Sequence, residues 1–293
     1  MIALARQILV LFKLRIGVAM VLTATASLAV TPGPSPTGMQ TFILALAVLL
    51  SAGAAGGFNH YFDYDIDARM SRTRNRPFVT GALQRSQKWL WILALLLTFS
   101  VAITAYAIHA IAAFHVFMGA FFYGIVYTAW LKRRTWLNIV IGGLAGSFAV
   151  LAGATTVTPH LTTVPYALAL VLFLWTPSHF WSLAIALQED YRQAGVPMLP
   201  VVAGNSVTAK AILFNTSLLV MASLIPFWYG MGWLYLFGAV AGGGLFLGRS
   251  LQLLWNPCRE RAMSNFYASL IHLALLLSFA VLDKQDWAPL FSL

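Results

Sequence analysis

Apolar residues in this chain gather into long blocks of about twenty, separated by short polar connections. Nine such blocks can be drawn: 14–31, 41–62, 89–108, 111–131, 136–157, 164–187, 208–229, 232–254 and 264–282. The run 90–131 is too long for one crossing, so a tight turn is placed near His109. The pattern predicts an all-α membrane protein of nine transmembrane helices. Residues 1–293 are expected to form one integral-membrane domain, with no soluble appendage.

The connections alternate in charge. Residues 31–38, the turn at His109, residues 158–165 and residues 230–232 carry no Lys, Arg, Asp or Glu. The remaining connections and the block ends beside them hold 17 of the 18 Lys and Arg, so 17 fall on one face; only Lys284 lies elsewhere. By the positive-inside rule the basic face is cytoplasmic, which puts the N-terminus inside and the C-terminus outside. Acidic residues follow the same asymmetry. Asp63, Asp65, Asp67, Glu189, Asp190 and Glu260 fall on the basic face, and Asp283 and Asp286 on the other.

Composition sharpens this picture. With 60% hydrophobic and 9% charged residues and a mean hydropathy of +0.80, a soluble protein is excluded and a lipid bilayer is the surrounding medium. The net charge of +10 reflects membrane orientation, not a nucleic-acid surface. A lone Cys258 excludes an internal disulfide, a multi-cysteine zinc site and a Cys-x-x-Cys-His haem attachment. Neither a cleavable signal peptide nor an Arg/Ser-rich presequence is evident, so a bacterial inner (plasma) membrane is expected. Small residues crowd the fifth span (Gly142, Gly143, Ala145, Gly146, Ala149, Gly153) and favour close helix packing.

The chemistry concentrates where the second span ends. Three of the eight acidic residues, Asp63, Asp65 and Asp67, fall within five positions, and Arg69, Arg72, Arg74 and Arg76 follow. Asn59, Asp63 and Asp67 recur every four residues, so on a helix they stack along one face. Two carboxylates about 6 Å apart repel by roughly 3 kcal/mol at an effective dielectric near 20, unless a cation joins them or one is protonated. An all-oxygen set without Cys suits a hard ion such as Mg²⁺, which commonly shares its shell with substrate phosphates. The arginines supply charged donors for those phosphates. The sixth span ends in Glu189-Asp190, bringing a second acidic group to the same face. Two such groups could hold two Mg²⁺ ions around one diphosphate. The other readings are a topology-marking loop, a transporter for an anionic metabolite and an intramembrane aspartyl protease. Transporters place their ionisable groups near the bilayer midplane, and a protease leaves the arginines without a role.

The pattern Asn59-x₃-Asp63-x₃-Asp67-x₂-Met70-x-Arg72-Thr73-x₂-Arg76-Pro77 resembles the first signature of the UbiA superfamily of intramembrane prenyltransferases. Three later stretches resemble its haem-farnesylating branch: Tyr127 to Thr135, Asn138 to Gly143, and Asp190-Tyr191-x₂-Ala194-Gly195-Val196-Pro197 through Pro200. The resemblance implies a nine-helix fold and a Mg²⁺-dependent transfer of farnesyl from farnesyl diphosphate to a vinyl group of haem B, with water added. A quinone precursor is the alternative acceptor. The implied metal ligands are Asn59, Asp63, Asp67 and Asp190. Arg72, Arg76, Lys132, Arg133 and Tyr127 are the implied diphosphate contacts. Tyr61, Phe62, Tyr123 and Tyr127 could shelter an allylic cation, and His60 and His179 are candidate haem ligands. A haem A synthase or a terminal oxidase is an expected partner. One departure stands out: many superfamily members carry a second Asp-x₃-Asp box, whereas position 194 here is Ala. That leaves Asp190 with Glu189 or water for a second ion.

Overall fold

The computed structural model describes residues 2–284, with side chains from Arg6 onward. Asp286 therefore lies outside the described residues. Within them every regular element is a helix. A helix not expected from hydropathy, α1 (Ile2–Leu11), precedes the first apolar block. Lys13 then turns the chain at φ 48° into α2 (Leu14–Val30). At 17 residues, α2 rises about 25 Å, a little short of a ~30 Å hydrocarbon layer.

Eight helical stretches are long and apolar enough to cross a membrane. The first is α3 (Gly38–Phe62), started by a capping box in which Gln40 N donates to Thr37 Oγ1 and Thr37 N to Gln40 Oε1. A six-residue α4 (Tyr64–Arg69) extends it beyond Asp63. Next come α5 (Gln87–Ala107) and α6 (Ala110–Phe121), divided at the expected turn, where the His109 ring accepts from Ala112 N at 3.3 Å. α6 widens into a π segment, Phe122–Leu131. The fifth expected span is two pieces, α7 (Asn138–Gly142) and α8 (Leu144–Val157). α9 (Thr163–Ala186) and the short α10 (Gln188–Gln193) follow. The series closes with α11 (Leu199–Trp228), α12 (Trp233–Trp255) and α13 (Arg259–Asp283).

Two boundaries differ from the expectation. α11 begins at Leu199 instead of 208 because Gly204, at φ 81° and ψ 168°, joins a short helical piece to the long one across a kink. Only glycine takes that backbone conformation without strain. α13 begins at Arg259 because its first turn is charged, a helical stretch that hydropathy does not register.

The helices meet along small-residue faces. At Gly153 a Cβ would lie 1.9 Å from Ala24 O, so the α2–α8 crossing requires glycine there. In the C-terminal half, α9 is surrounded by α8, α11 and α13, and α12 packs on α11 and α13. Val150, Leu168, Leu172, Leu219, Tyr235, Phe246 and Leu276 form its apolar core. Through that core runs a neutral polar chain. Asn265 Nδ2 donates to Ser182 Oγ (2.9 Å), and Ser250 Oγ lies 3.1 Å from Asn265 Oδ1 and 3.3 Å from Thr216 Oγ1. Thr216 Oγ1 donates to Ser178 Oγ at 3.0 Å, so the chain ties α9, α11, α12 and α13 together. Leu95, Phe99, Phe214 and Phe237 stay exposed on outer surfaces, as a bilayer medium requires.

Candidate active site

The α3–α4 junction keeps the stacking that the four-residue spacing implies. Asp63 lies at φ −86° and ψ 12°, outside both helices, yet Asp63 N donates to Asn59 O (2.9 Å) and Asp67 N to Asp63 O (2.8 Å). The four-residue ladder therefore continues through the break. Asn59, Asp63 and Asp67 are all buried, Asp63 completely. Burying a carboxylate is costly unless it is paired, and the structure shows where the pairing comes from.

Lys132, just past the π segment, donates to Asp63 Oδ2, which also accepts from Asn59 Nδ2 at 2.7 Å. Asn59 Nδ2 reaches Thr128 Oγ1 as well (3.1 Å). The π geometry sets this up: Lys132 N donates to Tyr127 O, five residues back, so Thr128 and Lys132 both face α3. Lys13 closes the other side, donating to Asn59 Oδ1 (2.5 Å) and to Tyr123 OH (2.8 Å). Burial, reinforced by the charges of Arg76 and Lys132, holds the Lys13 ammonium well below the usual lysine range. A left-handed non-glycine residue costs of order 1–3 kcal/mol, and at Lys13 that conformation carries the side chain into the cluster. Asp63 Oδ1 is buried without a hydrogen-bond partner, with Arg133 Nη2 3.9 Å away.

Asp67 pairs with Arg76 Nη1 at 2.5 Å, and its carbonyl accepts from Thr73 Oγ1 at 3.1 Å. Arg133 forks onto Asp65, 2.7 and 2.8 Å, which holds that carboxyl below its ordinary range and raises the guanidinium. Asp190 of α10 meets the loop after α4: Ser71 Oγ lies 2.8 Å and 3.0 Å from its two oxygens, and the backbone N–H groups of Ser71 and Arg72 donate at 3.3 Å. The two acidic groups are thus joined through the Ser71–Arg72 backbone. Burial pushes the neighbouring Tyr191 phenol up, against the pull of Arg72. Glu189 is exposed and pairs with Arg192 (2.6 Å). Among the described residues no three His, Cys, Asp or Glu side chains converge; each acidic group is matched to donors.

Tyr123 and Tyr127 stack 5.7 Å apart and 9° from parallel, with Lys132 Nζ 5.9 Å from the Tyr127 ring. Tyr61 and Phe62 lie instead under guanidinium groups, Arg85 at 4.4 Å and Arg133 at 5.2 Å. His60 adjoins Asn59 in the chain and is buried with Nδ1 unpartnered. His179 is held apart from that cluster: Nδ1 lies 2.7 Å from Ser269 Oγ, and the ring is sandwiched by Trp175 (4.1 Å) and Phe266 (4.3 Å). Sequence reasoning missed Lys13, Thr128 and Ser71. In the sequence Lys13 reads as a topology charge, and its place at the mouth of an apolar block is the one signal that points to the site.

The fold and site define a class: an all-helical, multi-pass membrane protein with buried carboxylates neutralised by ammonium and guanidinium groups at helix ends. Residues 20–277 match the UbiA prenyltransferase family. Over 272 residues the chain is 55% identical to the Protoheme IX farnesyltransferase 2 of Paramagnetospirillum magneticum, covering 93% of this chain and 94% of that one. It is 49% identical over 246 residues to the Protoheme IX farnesyltransferase 1 of the same organism, covering 84% and 86%. A solved digeranylgeranylglyceryl phosphate synthase has the same fold, with TM-score 0.79 at 18% identity over 96% of this chain and 98% of that one. So does a UbiA homolog from Archaeoglobus fulgidus bound to DMAPP and Mg²⁺, with TM-score 0.70 at 16% identity over 92% and 99%. The protein belongs to the UbiA prenyltransferase family and is an enzyme.

Proposed function

We propose that this enzyme transfers the farnesyl group of farnesyl diphosphate to a vinyl group of haem B, with addition of water, giving haem O and diphosphate. The observation that carries the diphosphate chemistry is Asp63, fully buried, with one oxygen on Lys132 and the other unpartnered. The acceptor and the prenyl group rest on the 55% identity to a relative named for that reaction.

The residues fit a hard divalent cation. Asp63 Oδ1 is a buried acceptor without a donor, and Asn59 Oδ1 rests on an ammonium that a cation could replace. Asn59, Asp63, Asp67 and Asp190 are the residues that would hold Mg²⁺, as two ions. Bound Mg²⁺ supplies charge neutralisation for the diphosphate. Lys132, Arg72, Arg76 and Arg133 add donors around the leaving group, so the allylic C–O bond breaks with its electron pair on the diphosphate. The stacked faces of Tyr123 and Tyr127 shelter the resulting cation and keep bulk water away. The vinyl π electrons then form the new C–C bond. Water adds its oxygen to the cation left on the haem side chain and gives up a proton.

For the haem iron, His60 adjoins the carboxylate cluster, whereas His179 is fixed between two rings. With α2 counted as a ninth crossing, the whole chain forms one integral-membrane domain. Its N-terminus and active site face the cytoplasm of a bacterial inner membrane, and it delivers haem O to a haem A synthase or terminal oxidase. The test uses purified protein in detergent with haem B, farnesyl diphosphate and Mg²⁺, with products read by mass. Haem O formation that needs Mg²⁺ and disappears in Asp63→Ala and Asp190→Ala supports the reading. Unmodified haem B beside a prenylated aromatic acid would overturn the acceptor.

A further inference from the structure

On the outer wall of the bundle, away from the carboxylate cluster, α7, α9 and α11 enclose an apolar groove of about 500 Å³. That is within the range of small-molecule sites, ~300–1,000 Å³. Breaks in regular helix flank it. Pro177, inside α9, leaves the Phe173 carbonyl without its usual helical donor, and Gly204 kinks α11; Phe173 and Pro177 both line the groove. Its walls are almost wholly apolar, with two polar exceptions. Trp181 is 95% buried (5% exposed), and its Nε1 has no acceptor. Asn215 gives both amide hydrogens inward, to Leu174 O and Ser178 Oγ, which leaves its carbonyl oxygen facing away from that network.

Two cations adjoin this lining, one on the same face of α11 and one two residues from it in the chain. Val207, Ala211 and Phe214 line it, and Lys210 shares their stripe at the i, i+3, i+4, i+7 positions of one helix face. Lys210 is exposed and has no acidic partner. Arg134, likewise exposed and unpaired, lies two residues before Trp136, another lining residue. An apolar slot whose lining is flanked by unneutralised cations matches an acyl chain with an anionic headgroup. We infer that this groove is a binding site for an anionic phospholipid, with one acyl chain between α9 and α11 and the phosphate between Lys210 and Arg134. The inference stands independently of the reaction proposed above.

The experiment is native mass spectrometry of delipidated protein titrated with dioleoyl phosphatidylglycerol or dioleoyl phosphatidylcholine. The wild type is expected to retain the anionic lipid preferentially. Arg134→Gln and Lys210→Gln should each weaken it roughly fivefold without changing the phosphatidylcholine signal, and Lys210→Arg should retain it. Ala211→Trp, which fills the slot, should remove both lipids from this site. Should that variant fail to fold, the two exposed charge variants still decide the matter. Equal retention of the two lipids by the wild type, or unchanged phosphatidylglycerol binding in the Arg134→Gln/Lys210→Gln protein, would overturn the proposal.

Discussion

At the end of α3 the buried polar groups are charged; between α9, α11, α12 and α13 they are neutral. In the second region Ser178, Ser182, Thr216, Ser250 and Asn265 satisfy one another, and the chain closes on itself. His272, packed against Gly242 and Phe246, is its neighbour without partners on either nitrogen. In the first region Asp63 keeps an unpartnered oxygen while Lys13, Lys132, Arg76 and Arg133 crowd the same few side chains. A closed neutral chain fixes helix packing. A cluster of several cations around one free acceptor is the arrangement on which the metal–diphosphate proposal rests. The difference separates scaffold from site more clearly than burial does, since Asp63 is as fully buried as the neutral chain.

The largest effect should come from splitting the charged pair. Asp63→Leu leaves Lys132 buried without its partner, which should cost roughly 3–5 kcal/mol of stability and at least about 10³-fold in turnover. Adding Lys132→Met should recover the thermal transition in detergent but not haem O formation. Recovery of turnover in that double variant would break the distinction drawn here. In the neutral region, Asn265→Ala removes the partner of Ser182 and Ser250 and should lower stability by about 1–3 kcal/mol. Turnover per folded molecule should stay at the wild-type value, so a selective loss of activity would show that this chain also serves the site.

Lys13→Met tests whether the α1–α2 turn belongs to the site or to the scaffold. A tenfold fall in turnover, about 1.4 kcal/mol, with an unchanged melting curve is expected; the reverse pattern would assign Lys13 to packing. The smallest effect belongs to the exposed rim. Asp65, 49% exposed, pairs with Arg133, so Asp65→Asn should cost no more than about 1 kcal/mol after solvent screening. Because its folded pKa is depressed, that contribution is fully present above the ordinary carboxyl pKa of about 4. It is lost as pH falls through the lowered folded value. Melting curves between pH 7 and pH 3 should therefore converge for the two proteins only at the acid end.

Much of this was legible before any fold was known. Apart from the starts of α11 and α13, the apolar blocks became helices within a few residues of their expected ends, and Asn59, Asp63 and Asp67 remained on one ladder despite the break at Asp63. Arg76, expected to contact a diphosphate, pairs with Asp67 nine residues away. The reading was weaker where one side chain had to be assigned to another helix. Tyr61 and Phe62, named for a cation, lie beneath Arg85 and Arg133. The α1 helix and the Gly204 kink lie outside that reading, since ten residues are too few for a crossing and a kink leaves the apolar count unchanged.

The sequence by itself determined the membrane medium, most helix positions, the charged face and the oxygen-rich ladder, since hydropathy and a four-residue period are properties of neighbouring residues. Only the tertiary structure decided which donors meet that ladder. Lys13 meets Asn59 across 46 residues, Lys132 meets Asp63 across 69, and Ser71 meets Asp190 across 119. Those pairings follow from helix packing, from the close approach at Gly153 and from the widened π segment, and no local pattern encodes them. Burial then makes the Lys13 and Lys132 pairings strong, because a charge removed from water has no other partner.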